Sequence, residues 1–278
     1  MTSQTTTTLP TRDLTECIGT EVLADKTGLL SGAHAGAIRE LLEQRGVLVF
    51  PQIGFTEAEQ VAFTETLGTL APERAGAAVY DVTLDTSVNK QADYLKGSFY
   101  WHLDGTMNQV PILASLLSSK VLPAGGGGDT EFCNTYAAYD ELPEQDKQQL
   151  GSLRAMHSAW NSLLYYDPEP EAATLQQMMA IGQCELPLVW THRSGRKSLI
   201  LGCTASHIVG LEYSESTKTL VRLRDWATQP QFVYRHRWSV GDLVMWDNTG
   251  TMHRARPYDP SSGRMLHRTK LAGEEPFA

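Results

Sequence analysis

No apolar run in the 278 residues reaches the roughly 18 to 20 needed for a bilayer-spanning helix, and the mean hydropathy is −0.27, so a membrane-spanning role is not expected. Cysteine is scarce. Cys17, Cys133, Cys184 and Cys203 stand far apart without a C-x-x-C pair, which excludes a disulfide framework and a Cys-ligated zinc and points to the reducing cytoplasm. Positive charge is in deficit: 23 Lys+Arg against 32 Asp+Glu give a net charge of −9, with no basic stripe to attract a polyanion, so nucleic acid is not an expected partner. Met1–Pro10 is Thr-rich and lacks both the basic and the apolar stretch of a secretory signal, so it reads as a frayed tail. There is no internal repeat and no dinucleotide-binding glycine pattern. The Gly125–Gly128 run lacks the Gly-Lys-Ser/Thr ending of a phosphate loop and reads as a flexible turn.

What the chain does have is 41% hydrophobic residues, enough for one sizeable core. Ala37, Ile38, Leu41 and Leu42 recur at helical spacing within Ala33–Gln44, and Gly46 marks the stop. Val47–Phe50, closed by Pro51, predicts a buried strand, and Thr56-Glu-Ala-Glu opens a helix that ends near Gly68. Further strands are expected at Ile112–Leu122, Leu186–His192, Ser198–Leu201, Phe232–Trp238, Asp242–Trp246 and Arg264–Leu271. Helical inserts are expected at Thr135–Leu150, Ala172–Gly182 and Ser216–Ala227. Strands in runs, with helices between the runs, predict an antiparallel sandwich or barrel decorated by helices rather than a repeating βαβ sheet.

His102 and Asp104 are two apart on an extended stretch, so imidazole and carboxylate share a face. A second histidine, His253, follows Trp246-Asp-Asn248 far downstream. Two histidines and a carboxylate form a facial triad that leaves three positions open on an octahedral metal, as non-haem Fe(II) requires, although a catalytic zinc accepts the same donors. Arg264 and Arg268, four apart on one strand, face the same side, where two inward guanidinium groups are costly unless anions meet them. Thr130 offers a hydroxyl to such an anion. His192 reads as a turn cap, and His157, His207, His236 and His267 as ordinary polar or core histidines. Trp101, Trp238 and Trp246 read as core packing.

His102-x-Asp104, Gly-Asp-Thr130-Glu-Phe132, Trp246-Asp-Asn248 with His253, and Arg264-x-x-x-Arg268 together resemble the Fe(II)- and 2-oxoglutarate-dependent dioxygenases of the taurine/2,4-dichlorophenoxyacetate group, over most of the chain from Val47 to Glu275. Ala227–Tyr234 and Asp242–Asn248 are similar to the phenoxyacetate-degrading branch. The resemblance implies a mainly β fold with α insertions, namely a double-stranded β-helix (jelly-roll) core flanked by helices. It implies a single dioxygenase domain over 13–278 behind a flexible tail over 1–12. It also implies Fe(II) held by His102, Asp104 and His253, 2-oxoglutarate clamped by Thr130 and Arg264, and Arg268 meeting the substrate anion or the near carboxylate of 2-oxoglutarate. With O2, such an enzyme hydroxylates a small organic acid and releases succinate and CO2.

An aryloxyalkanoate-type or other apolar carboxylate is the expected substrate, with Arg268, the Gly105 backbone, Leu103 and Tyr100 around it. Where taurine-cleaving members carry a sulfonate-binding histidine, this chain reads Leu70-Ala71-Pro72-Glu73, and a carboxylate there would repel an anionic head group. The alternatives are a taurine, alkyl-sulfonate or alkyl-sulfate dioxygenase, a natural-product tailoring hydroxylase or, in a different class, a non-redox jelly-roll hydrolase or binding protein. A homo-oligomer is left open.

Overall fold

The computed structural model describes residues 9–73 and 76–278. In chain order the elements are β1 (Thr11–Asp13), β2 (Thr20–Val22), α1 (Lys26–Leu30), α2 (Ala35–Arg45), β3 (Val47–Phe50), α3 (Glu57–Leu67), β4 (Leu70–Ala71), β5 (Tyr80–Val82), β6 (Ala114–Val121) and β7 (Thr130–Asn134). They continue with α4 (Thr135–Asp140), α5 (Glu144–Leu150), β8 (Arg154–Ser158), α6 (Ala159–Tyr166), α7 (Ala172–Met179), β9 (Gln183–Pro187), β10 (Val189–Thr191), β11 (Lys197–Leu199) and β12 (Ala205–Ile208). The last are α8 (Tyr213–Ala227), β13 (Val233–His236), β14 (Leu243–Asp247), β15 (Thr251–Ala255) and β16 (Met265–Leu271).

Eight strands form one sheet in the order β1-β2-β3-β14-β6-β16-β4, with β5 also pairing β16. A three-stranded antiparallel sheet, β13-β7-β15, faces it, and the two layers make the jelly-roll core. The apolar run Val47–Phe50 has no polar residue because both of its faces are covered. Val47 and Val49 meet Phe132, Val244, Trp246 and Leu266 between the sheets. Leu48 and Phe50 meet Ile38 and Leu42 of α2 and Phe63 and Leu67 of α3 behind the large sheet. Ala33–Gln44 and the Thr56 helix thus form as read, the latter with a capping box between Thr56 and Glu59.

Four expectations are redrawn. Of the tail expected over 1–12, Thr11 and Arg12 instead pair with Val22 and Glu21 in the sheet, and residues 1–8 lie outside the described residues. The helix expected over Thr135–Leu150 is broken into α4 and α5, since Pro143 has no N–H to continue the first and instead caps the second. The strand expected over Leu186–His192 divides at Pro187, its first part pairing β8 and its second β11. The insert expected over Ala172–Gly182 ends at Met179.

Candidate active site

The two inner faces enclose a cavity of about 70 Å³, and the ladder register determines what lines it. Thr130 and Phe132 of β7 are paired with Ala255 and His253 of β15, so all four project to the same side. Opposite them, Leu266 and Arg268 of β16 project inward with Val82, Tyr80 and Leu117, their ladder partners. The apolar wall is Val82, Leu84, Leu95, Phe99, Leu117, Trp246, Tyr258 and Leu266. The polar groups are His102, Asp104, Thr130, His253, Arg264 and Arg268.

His102 and His253 are held by a reciprocal bridge: His102 N–H donates to the His253 carbonyl at 3.1 Å, and His253 N–H to the His102 carbonyl at 2.9 Å. Their rings lie 4.2 Å apart between centroids. His102 Nε2 is 3.8 Å from Asp104 Oδ1, and His253 Nε2 is 3.8 Å from Asp104 Oδ2. His102 Nδ1 is 2.8 Å from the Tyr100 carbonyl, which fixes its proton there and leaves the Nε2 lone pair free. Among the described residues, the buried His253 Nδ1 has no hydrogen-bond partner. Burial, reinforced by His102, pushes the His253 pKa down to about 3, so the ring is neutral and ready to ligate. Burial opposes ionisation of Asp104, but His253, Arg268 and His102 outweigh it and hold its pKa at about 2. Ser115 donates to Asp104 Oδ2 at 3.3 Å, Asn248 Nδ2 donates to Ser115 at 3.0 Å, and Trp246 Nε1 donates to Asn248 at 2.9 Å, a chain that orients the carboxylate. This donor set fits a divalent iron: two imidazole nitrogens and one carboxylate whose ligand atoms converge.

At the other end of the cavity Arg264 is 3% exposed, yet among the described residues no carboxylate lies within ion-pair distance of it. One Nη donates to the Gly128 carbonyl at 2.8 Å, the guanidinium stacks 4.5 Å over Tyr258, and Nε is without a partner. Burial presses its pKa below the ordinary arginine value. A buried cation facing a cavity with spare donors suits an anionic cosubstrate. Thr130 Oγ1 accepts from Trp238 Nε1 at 3.1 Å, which leaves its own proton free for a second acceptor. The glycine run reaches this site too: Gly128 has φ +74°, and a Cβ there would lie 2.5 Å from Arg264 Nε.

Three residues expected at the substrate stand elsewhere. Leu103 is 3% exposed in the core with Trp101, because the alternation that aims residues 102 and 104 at the cavity aims 103 away from it. The Tyr100 ring packs on Tyr165 of α6 at 5.1 Å and lines a separate cleft with Trp101 and Arg254. Gly105 (φ +87°) turns the chain against Pro111 and is not part of the cavity wall. Glu73, read as a carboxylate that would repel an anionic head group, is paired with Arg268 and Lys270. His192 is structural, bonding Ser198 at 2.8 Å and stacking on Trp190 at the edge of a larger cleft of about 350 Å³ away from the triad. Sequence reasoning missed Ser115, Trp238 and Tyr258, ordinary residue types whose roles exist only through partners distant in the chain.

A jelly roll whose inner faces carry two histidines and a carboxylate beside a buried, unpaired arginine is a non-haem iron oxygenase of the dicarboxylate-dependent class. The match to the family described as "Taurine catabolism dioxygenase TauD, TfdA family" runs over residues 10–270, and the chain belongs to that family. It is 40% identical over 265 residues to the alpha-ketoglutarate-dependent 2,4-dichlorophenoxyacetate dioxygenase of Burkholderia sp. (strain RASC), covering 88% of each chain. It is 36% identical to the (S)-phenoxypropionate/alpha-ketoglutarate-dioxygenase of Sphingobium herbicidovorans over 239 residues, 82% of each chain. The crystal structure of AAD-2 in complex with Mn(II) and N-oxalylglycine superposes with a TM-score of 0.84 at 33% identity, covering 98% of this chain and 100% of that one. The protein is accordingly a 2-oxoglutarate-dependent non-haem iron dioxygenase, with Fe(II) as its metal and 2-oxoglutarate and O2 as cosubstrates.

Proposed function

We propose that the protein hydroxylates an aryloxyalkanoic acid or a similar acid with an apolar body, next to the ether oxygen, giving an unstable hemiacetal that separates into a phenol and an oxo-acid. In this reading His102, Asp104 and His253 hold the iron, Thr130 and Arg264 grip the distal carboxylate of 2-oxoglutarate, and Arg268 meets the carboxylate of the substrate. Bound there, Fe(II) supplies the activation of O2 that drives decarboxylation of 2-oxoglutarate to succinate and hydroxylation of the substrate. The chain's own groups bind, orient and exclude water: the Ser115–Asn248 chain aims Asp104, and Leu84, Leu95 and Phe99 offer apolar surface.

The observation that carries the reading is the pair of inward arginines, Arg264 just before β16 and Arg268 four residues on within it, each suited to a separate anion in one mostly apolar cavity. The relatives that act on phenoxy acids support the choice of acid. Four free thiols suit a reducing compartment, and no helix among the described residues is long and apolar enough to cross a membrane. The test is incubation of the Fe(II)-loaded enzyme with 2-oxoglutarate, ascorbate and, separately, phenoxyacetate, phenoxypropionate or taurine. Phenol release stoichiometric with succinate is expected from the phenoxy acids, and little sulfite from taurine. Efficient sulfite release without phenol would reverse the assignment.

A further inference from the structure

Arg268 enters the cavity already paired. Its Nε is 3.0 Å from Glu73 Oε1 and its Nη2 3.1 Å from Oε2, a side-on bidentate grip. The same Glu73 Oε2 is 3.0 Å from Lys270 Nζ. Glu73 has only 3% of its side chain exposed and stands behind Arg268, outside the cavity lining. Two N–H groups of the guanidinium are thereby spent, and three remain, two on Nη1 and one on Nη2. The Nη1 end points inward: Nη1 is 3.9 Å from Asp104 Oδ2, and the Tyr80 ring, its ladder partner, stacks 5.2 Å from Cζ. On the side away from Asp104, Arg268 and Lys270 set two cations against the one carboxylate of Glu73, while Asp104, the second carboxylate near Arg268, faces the metal site.

We propose that Glu73 is a positioning residue for substrate recognition, holding Arg268 side-on so that its Nη1 end meets the carboxylate of the acid substrate. A long side chain with several rotatable bonds would otherwise be free to swing its guanidinium toward Asp104 or solvent, and fixing the fork lowers the ordering cost of binding. Lys270, drawn to the same oxygen, keeps Glu73 from neutralising Arg268 outright. The inference rests on the reading that Arg268 meets the substrate acid.

The test compares Glu73→Ala, Glu73→Gln and Arg268→Gln in the Fe(II)-loaded enzyme, with phenoxyacetate and 2-oxoglutarate as probes. Glu73→Ala should raise KM for phenoxyacetate about tenfold or more, while KM for 2-oxoglutarate stays within about twofold. Glu73→Gln, which keeps one acceptor for the fork, should give a smaller rise. Arg268→Gln should raise KM for phenoxyacetate at least as much as Glu73→Ala. If Arg268→Gln raises KM and neither Glu73 variant does, or if they lower it, Glu73 is a bystander or a competing anion and the proposal falls alone. If Arg268→Gln leaves KM unchanged, the parent reading fails and takes the proposal with it. Should Glu73→Ala not fold, Glu73→Gln decides: a rise confined to phenoxyacetate supports the proposal, and no change overturns it.

Discussion

Arg264 and Arg268 line one cavity from the start and the middle of the last strand segment, yet their electrostatic situations are opposite. Arg268 has a carboxylate behind it, whereas Arg264 has a carbonyl, an aromatic ring and an unsatisfied Nε. If Arg264 clamps 2-oxoglutarate as proposed, its ionic partner is supplied on binding, and its removal should appear in cosubstrate affinity. A charge-assisted contact is worth about 1.5 to 3 kcal/mol, so Arg264→Ala should weaken 2-oxoglutarate binding about tenfold to a hundredfold. Calorimetric titration of the anaerobic Fe(II) protein would measure this directly; unchanged affinity would move the clamp elsewhere. The fold itself should tolerate the change, because the substitution removes a buried cation that has no ionic partner to leave behind.

Among the elements, the bridge between His102 and β15 is the joint that assembles the metal ligands, and Gly202 makes room for it. Gly202 lies after β11 at φ +114°, where a Cβ would sit 2.9 Å from both His102 Cα and the Trp101 carbonyl. The Cys203 N–H donates to that same carbonyl at 2.7 Å, so the segment cannot retreat without losing a hydrogen bond. Gly202→Ala should therefore displace His102 and cost about tenfold or more in Fe(II) affinity, read by metal titration, with Gly36→Ala, which meets nothing within 4 Å, as the silent control. Equal iron affinity in both variants would show that the bridge does not govern the site. The same element explains what the sequence made legible. Strands buried on both faces, such as β3 and β14, announce themselves as unbroken apolar runs. β7 and β15 did not, because their inward positions carry Thr130 and His253 where apolar residues would mark the face. Lining a polar site erases the alternation by which a strand is recognised. That His102, Asp104, His253 and Arg264 belong together was readable because their spacing is a motif, and the fold gathers them around one cavity; the pairing of Glu73 with β16 is a product of the folded sheet alone.

For the molecule as a whole, buried neutral histidines set the response to acid. His157 is fully buried, bonded by Nδ1 to Thr204 at 2.9 Å, with Nε2 unpartnered, and burial pushes its pKa down to about 3. His192 is held at about 4 by burial and by Arg196. In the unfolded chain each titrates near 6.5, so between that pH and the native value only the unfolded state takes up the proton. Their contribution to stability is complete above about pH 6.5 and is lost as the pH falls toward 3 to 4. Asp247 runs the other way: burial raises its pKa to about 6, so its contribution is present below its unfolded value near 3.8 and is lost as the pH rises through 6. Between pH 7 and pH 5 His157 alone accounts for about 2 kcal/mol of lost stability. Urea unfolding at the two pH values should show that loss shrinking by this amount in His157→Gln; identical pH dependence in variant and parent would contradict it.

The strand order of the large sheet also governs when the molecule can come into being. β14 is inserted between β3 and β6, and β16 between β6 and β4, so the middle of the sheet is filled by strands that leave the ribosome long after their neighbours. Until then the nascent chain carries the apolar β3 and the mixed β6 as strands with open hydrogen-bonding edges, the state most prone to pair with another chain. Arg264 and Arg268 arrive with or just before β16, and His253 only slightly earlier. The iron site is therefore among the last features to form, and a chain able to retain iron has completed its long-range strand pairing.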